Sequence, residues 1–214
     1  MMRELPNRSS ADRFGTGATK HSAFLITAFV AIAILNYLFG VALSWFFTPA
    51  QFGVLGVAQA LLLLTALIVG SGFAWSAAHD FAASGVTSET RRRFRAAWLA
   101  NVALGLSLGA GLWIAYALDW LPLGPAYRTV MPLIGLTTIL LAARSVVNGA
   151  VRGTYSFGSL AVNQVGEVVI KAGTGLVLVV AGFGVPGVMA GFALGTTAAL
   201  VHSFWISHPV RLWR

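Results

Sequence analysis

The sequence predicts an all-α, polytopic transmembrane helix bundle of six spans with both termini cytoplasmic. Composition is the first reason: of 214 residues, 57% are hydrophobic and 9% charged, with a mean hydropathy of +0.81. A soluble domain carries roughly a quarter charged residues to cover itself, so most of this surface must meet lipid. The apolar residues also gather into six runs, each near the ~20 residues that span ~30 Å of hydrocarbon. The third reason is where the cations lie. In the N-in arrangement the cytoplasmic side collects Arg3, Arg8, Arg13, Lys20, Arg91, Arg92, Arg93, Arg95, Arg152, Arg211 and Arg214, against Arg128 alone outside. Lys and Arg retained in short loops set orientation in this way.

Residues 1–21 are polar, contain Pro6, Gly15 and Gly17, and read as a mobile cytoplasmic tail. Spans follow at about 22–47, 53–75, 96–118, 129–151, 157–181 and 185–206, and residues 207–214 form a basic cytoplasmic tail or linker. The first run is too long for a signal-peptide core and lacks a cleavage site, so it is read as a retained helix. Thr48-Pro49-Ala50-Gln51 ends it, because proline and its predecessor disfavour helix. Residues 76–95 form the longest internal polar stretch and close on Arg91-Arg92-Arg93-Phe94-Arg95. Pro122 and Pro125 mark the connection after the third span, Arg152–Ser156 the turn after the fourth, and Gly182-Phe183-Gly184 the break between the last two. Trp45, Trp75, Trp98, Trp120, Trp205 and Trp213 lie near span ends, where amphipathic rings favour the headgroup zone.

Polar side chains inside such spans are costly against lipid and usually face a bundle interior or an aqueous cavity. On the fifth span Asn163, Gln164, Glu167, Lys171 and Thr174 share an arc of about 100° at helical spacing, opposite Val, Ile, Leu and Ala. Glu167 and Lys171, four apart, can neutralise each other on one helix. A stripe beside a water-filled cavity is the other reading. On the fourth span Thr137, Arg144 and Asn148 lie within about 40°. Arg144 can snorkel to the cytoplasmic interface, or can line the cytoplasmic half of a cavity with Lys171 and make it electropositive for a phosphate headgroup. The site residues expected for substrate are therefore Arg144, Lys171, Glu167, Gln164, Asn163 and Asn148. Asn36, Gly40 and Ser44 read as a close helix-packing stripe, and Gly70-Ser71-Gly72 as a bend.

Nothing points to an enzyme. No catalytic motif or paired intramembrane carboxylates appear, the four histidines lack metal-ligand spacing, and there is no cysteine, so no cofactor or metal is expected. The net charge of +8 belongs to the loops and is not read as nucleic-acid binding. Phe52-Gly53-x-Leu55-x-Val57-x-Gln59 and Phe157-Gly158-x-Leu160-x-Val162-x-Gln164 open the second and fifth spans, a pattern compatible with an inverted repeat.

Thr48-Pro49-Ala50-Gln51-Phe52-Gly53, Arg152-Gly153 with Phe157, and Gly184-Val-Pro-Gly187 with Gly191 and Gly195 resemble the turns of polysaccharide-export flippases. The pattern is similar to the first six-helix lobe of the oligosaccharide flippase branch of the multidrug/oligosaccharidyl-lipid/polysaccharide exporter superfamily, over about residues 22–210. The resemblance implies a transporter in the inner (plasma) membrane. Its cargo would be a lipid-linked pyrophosphate oligosaccharide, flipped from the cytoplasmic to the outer leaflet for cell-surface polysaccharide assembly. It also implies a cationic cavity closed by a second six-helix lobe, either the chain's own other half, itself or another chain, with membrane lipids around it. An ion-coupled multidrug exporter, or a non-transporting scaffold subunit of a polysaccharide synthase, are the alternatives.

Overall fold

The structure is a computed structural model that describes residues 8–154 and 157–207. Among the described residues six long helices make up the fold: α1 (Arg8–Ser44), α2 (Pro49–Ser84), α3 (Ser88–Ala117), α4 (Val130–Gly153), α5 (Phe157–Leu178) and α6 (Gly184–Ser207). Five helical segments among the described residues are long and apolar enough to cross a membrane, and the last of them, Phe157–Trp205, takes in α5 and most of α6. The chain reverses between these two through a wide turn at Val179–Phe183. Gly182 there has a φ of 91° and Gly184 one of 56°, backbone that suits glycine.

The helices run past the ends that hydropathy suggests. α1 starts at Arg8, before the apolar run at Ser22, and α2 and α3 absorb nearly all of the polar stretch 76–95. Only Gly85-Val86-Thr87 turns the chain there, with Gly85 at a φ of 63°. The reason is local chemistry. Thr87 and Thr90 form a capping box, as Thr48 and Gln51 do at the start of α2, so each helix begins on satisfied backbone donors. A polar, exposed helix continuing into water is indistinguishable from a loop by hydropathy. Residues 70–72 lie inside the unbroken span of α2. The expected basic tail at His208–Arg214, and Arg3, fall outside the described residues.

Helix α4 is the buried centre and packs against α2, α3 and α6. Its neighbours approach so closely that side chains are excluded from the crossings. A Cβ on Gly149 would sit 2.1 Å from the Ala74 carbonyl oxygen, and one on Gly109 2.8 Å from that of Gly135. Asn101, fully buried on α3, donates through Nδ2 to the Val69 and Ala142 carbonyls and to Ser145 Oγ, tying three helices at one point. α5 and α6 form an antiparallel hairpin in which Gly191 lies against Gly175 and Gly195 against the Glu167 backbone.

Helix α1 differs from the rest, because it packs along α5 and leaves a groove between itself and α2. Near the Thr48 turn the groove closes on Phe39, Leu43, Phe47, Leu55 and Leu62. The bundle has two ends, each marked by a turn: the Thr48 end and the Gly85 end.

Candidate functional site

The α1–α2 groove holds two cavities stacked along the bundle. The one toward the Thr48 end, about 570 Å³, is bordered by Asn36, Gly40, Gln59, Thr137, Lys171 and Thr196 among apolar residues. The one toward the Gly85 end, about 350 Å³, is bordered by Arg144, Ser145, Asn148, Arg152 and Gln164. Glu167, Val168 and Leu141 border both, so they form the partition.

An ion pair stands in that partition. Arg144 Nη1 donates to Glu167 Oε2, bridging α4 and α5, with side-chain exposures of 7% and 18%. Glu167 Oε1 also accepts from Thr196 Oγ1 of α6 at 3.2 Å. The pairing of Glu167 with Lys171 that their spacing allows is not formed. Lys171 instead donates to Asn36 Oδ1 of α1 at 2.7 Å and lies 4.6 Å from the Phe192 ring centroid. The physical reason is that a guanidinium from the neighbouring helix reaches the carboxylate directly, whereas Lys171 turns toward α1. Arg144 does not snorkel, since the whole residue is 6% exposed.

The six expected site residues divide three ways. Arg144, Asn148, Gln164 and Glu167 come together at the Gly85-end cavity. Lys171 lines the other one, across the partition, so the two cations do not share one cavity as expected. Asn163 borders neither. It is 2% exposed and donates to Ser203 Oγ of α6 at 2.7 Å; Ser203 in turn donates to Asn148 Oδ1 at 3.0 Å, and His202 Nδ1 lies 3.2 Å from Asn163 Oδ1. Asn163 thus locks α5 to α6 behind the cavity wall. The expected packing stripe on α1 also divides: Gly40 has open space beside it, and Asn36 serves Lys171. Arg152, Asn36 and Thr196 were not singled out from the sequence as site residues, because each joins the site only through helix packing.

Chemically the groove offers two buried or half-buried cations, neutral amides and hydroxyls, and one carboxylate already matched to an arginine. That set suits a large, polar, anionic ligand in a water-filled cleft. Among the described residues no cluster of metal-ligating side chains occurs. A family model described as "Polysaccharide biosynthesis protein" matches residues 42–213. The chain belongs to that polysaccharide biosynthesis family. The match takes in every residue of both cavities except Phe29, Ile32, Asn36, Phe39 and Gly40 of α1. No curated protein and no solved structure matched the chain. Membership and the apolar helices together make it a membrane protein of polysaccharide biosynthesis.

Proposed function

We propose that this family member is a six-crossing transporter lobe that flips a lipid-linked pyrophosphate oligosaccharide from the cytoplasmic to the outer leaflet. The observation that carries the reading is the Arg144 guanidinium, buried in mid-bundle beside a cavity that Arg152 also borders. An arginine is expensive to bury within a membrane and matches phosphate geometrically through its planar fork. The Gly85 end, with Arg91, Arg92, Arg93, Arg95 and Arg152, is the cytoplasmic side in this reading, and the lobe resides in the inner membrane with both termini inside. Headgroup phosphates then enter at the Arg144 cavity, and the glycan follows into the larger one. No covalent step is required of the protein.

The groove between α1 and α2 has walls on these helices, α4, α5 and α6. A second six-helix lobe, from its own chain or another, would supply the facing wall. An ion-coupled drug exporter is less well supported, because the groove's carboxylate, Glu167, is neutralised by Arg144.

The test is translocation of a fluorescent lipid-pyrophosphate oligosaccharide in proteoliposomes, with Arg144→Gln as the site variant. The expected result is translocation above empty liposomes that falls at least tenfold in the variant. Equal rates in the two proteins would refute the site, and no translocation by folded protein supplied with a facing lobe would refute the function.

A further inference from the structure

The Arg144 guanidinium is engaged only in part. Its guanidinium carries five N–H donors. Nη1 is given to Glu167, and Nε is buried with no acceptor. Nε has no accessible surface, so a ligand would meet Arg144 through the part of the residue that borders the Gly85-end cavity. Arg152 borders the same cavity and adds a second cation.

Glu167 faces a different balance. Around its carboxylate stand Arg144 from α4, Thr196 from α6 and, one turn along its own helix, Lys171. The groove residues contributed by α1 and α2, Asn36 and Gln59, are uncharged. Lys171 is held by a neutral amide and an aromatic ring, and among the described residues it has no direct ion pair. The groove thus has one carboxylate within reach of two cations, and uses it on only one.

We propose that Glu167 is a displaceable internal anion: a phosphate-class anion entering the Gly85-end cavity takes the Arg144 guanidinium, and the released carboxylate turns to Lys171, weakening its hold on Asn36 of α1. The exchange leaves both Arg144 and Lys171 with a counter-ion. Before it, Arg144 is matched and Lys171 is not; after it, the ligand matches Arg144 and Glu167 matches Lys171. Because the Lys171–Asn36 hydrogen bond joins α5 to α1, occupation of one cavity loosens a wall of the other. Ligand and carboxylate compete for one guanidinium, so the coupling between them is reciprocal. The inference rests on the anion-site reading above and adds the competitor and its destination.

The experiment is calorimetric titration of the purified full chain with inorganic pyrophosphate. Glu167→Gln removes the competing charge but keeps a neutral acceptor, and is expected to bind about tenfold more tightly than the parent, a coupling of ordinary size. Arg144→Gln is expected to lose binding. Lys171→Met is expected to bind about three- to fivefold more weakly, although Lys171 does not border that cavity. Thermal melts establish that each variant is folded, and Glu167→Asp, whose shorter carboxylate reaches Arg144 less well, replaces Glu167→Gln if the latter is not. Equal or weaker binding by the Glu167 variant would make Glu167 a positioning residue and overturn the proposal. So would unchanged affinity in Lys171→Met, or pyrophosphate binding to none of the proteins. The transport reading is judged separately, by translocation of the lipid-linked substrate.

Discussion

The ion pair in the partition predicts an asymmetry in stability. Consider Glu167→Met and Arg144→Met, which remove charge while keeping most of the side-chain volume. Without Glu167, the Arg144 guanidinium, 7% exposed, has Arg152 as its charged neighbour in the cavity and no anion. Stripping one partner from a fully buried pair costs about 3–5 kcal/mol, and the cavities on either side place this case near the lower figure, about 3 kcal/mol. Without Arg144, Glu167 keeps the Thr196 hydroxyl and has Lys171 a turn away, so the loss is about 1–2 kcal/mol, the scale of a charged hydrogen bond. Replacing both leaves no orphan charge and should cost about 1 kcal/mol, since apolar replacement of a whole buried pair is close to neutral. The expected interaction energy is therefore about 3–4 kcal/mol in magnitude. Reversible unfolding in mixed micelles, followed through the seven tryptophans, measures it. Additivity of the single variants to within about 0.5 kcal/mol, or a larger loss for Arg144→Met than for Glu167→Met, would refute the reasoning.

Two further outcomes test the frame. Gly149→Ala, whose Cβ would fall 2.1 Å from the Ala74 carbonyl oxygen, should force α2 from α4 and lower stability by about 2–3 kcal/mol in the same unfolding assay; Gly56→Ala, with open space beside it, should be neutral or gain up to about 1 kcal/mol. Because the chain has no cysteine, single substitutions report topology directly: Ser84→Cys should react with an impermeant maleimide only from the cytoplasmic face and Gly124→Cys only from outside, and labelling of both from one face would refute the orientation.

The helices were legible because lipid imposes a length and a hydropathy that few other environments demand. What hydropathy could not show was where α2 ends and α3 begins, since residues 76–84 and 88–95 are helical for reasons of capping and propensity. The pair Thr87 and Thr90, spaced as a capping box, was the available signal. The polar stripe on α5 was legible for a similar reason: one helix fixes the angles among its own residues. Partners on other helices were not. Glu167 and Lys171 have ideal spacing for each other, yet each bonds elsewhere, because α4 brings Arg144 to Glu167 and α1 brings Asn36 to Lys171. Asn163, polar and on the stripe, spends its amide on Ser203 rather than on the cavity, and only the α5–α6 register reveals it.

The turn at Thr48 is built differently on its two sides. α2 leaves it through a capping box with Pro49 in the first turn, while α1 runs out in the short turn Trp45–Phe47, where the Phe47 and Phe52 rings meet edge-on at 5.7 Å. α1 is therefore a long arm on a short pivot. Its 37 residues measure about 55 Å, so a tilt of about 5° at Phe47 carries the far tip through about 5 Å. The same tilt moves Leu43 by less than about 1 Å, because Leu43 lies within one turn of the pivot. Leverage of this kind moves Phe29, where α1 borders the Gly85-end cavity, by about 2 Å while the aromatic seal at the other end stays shut.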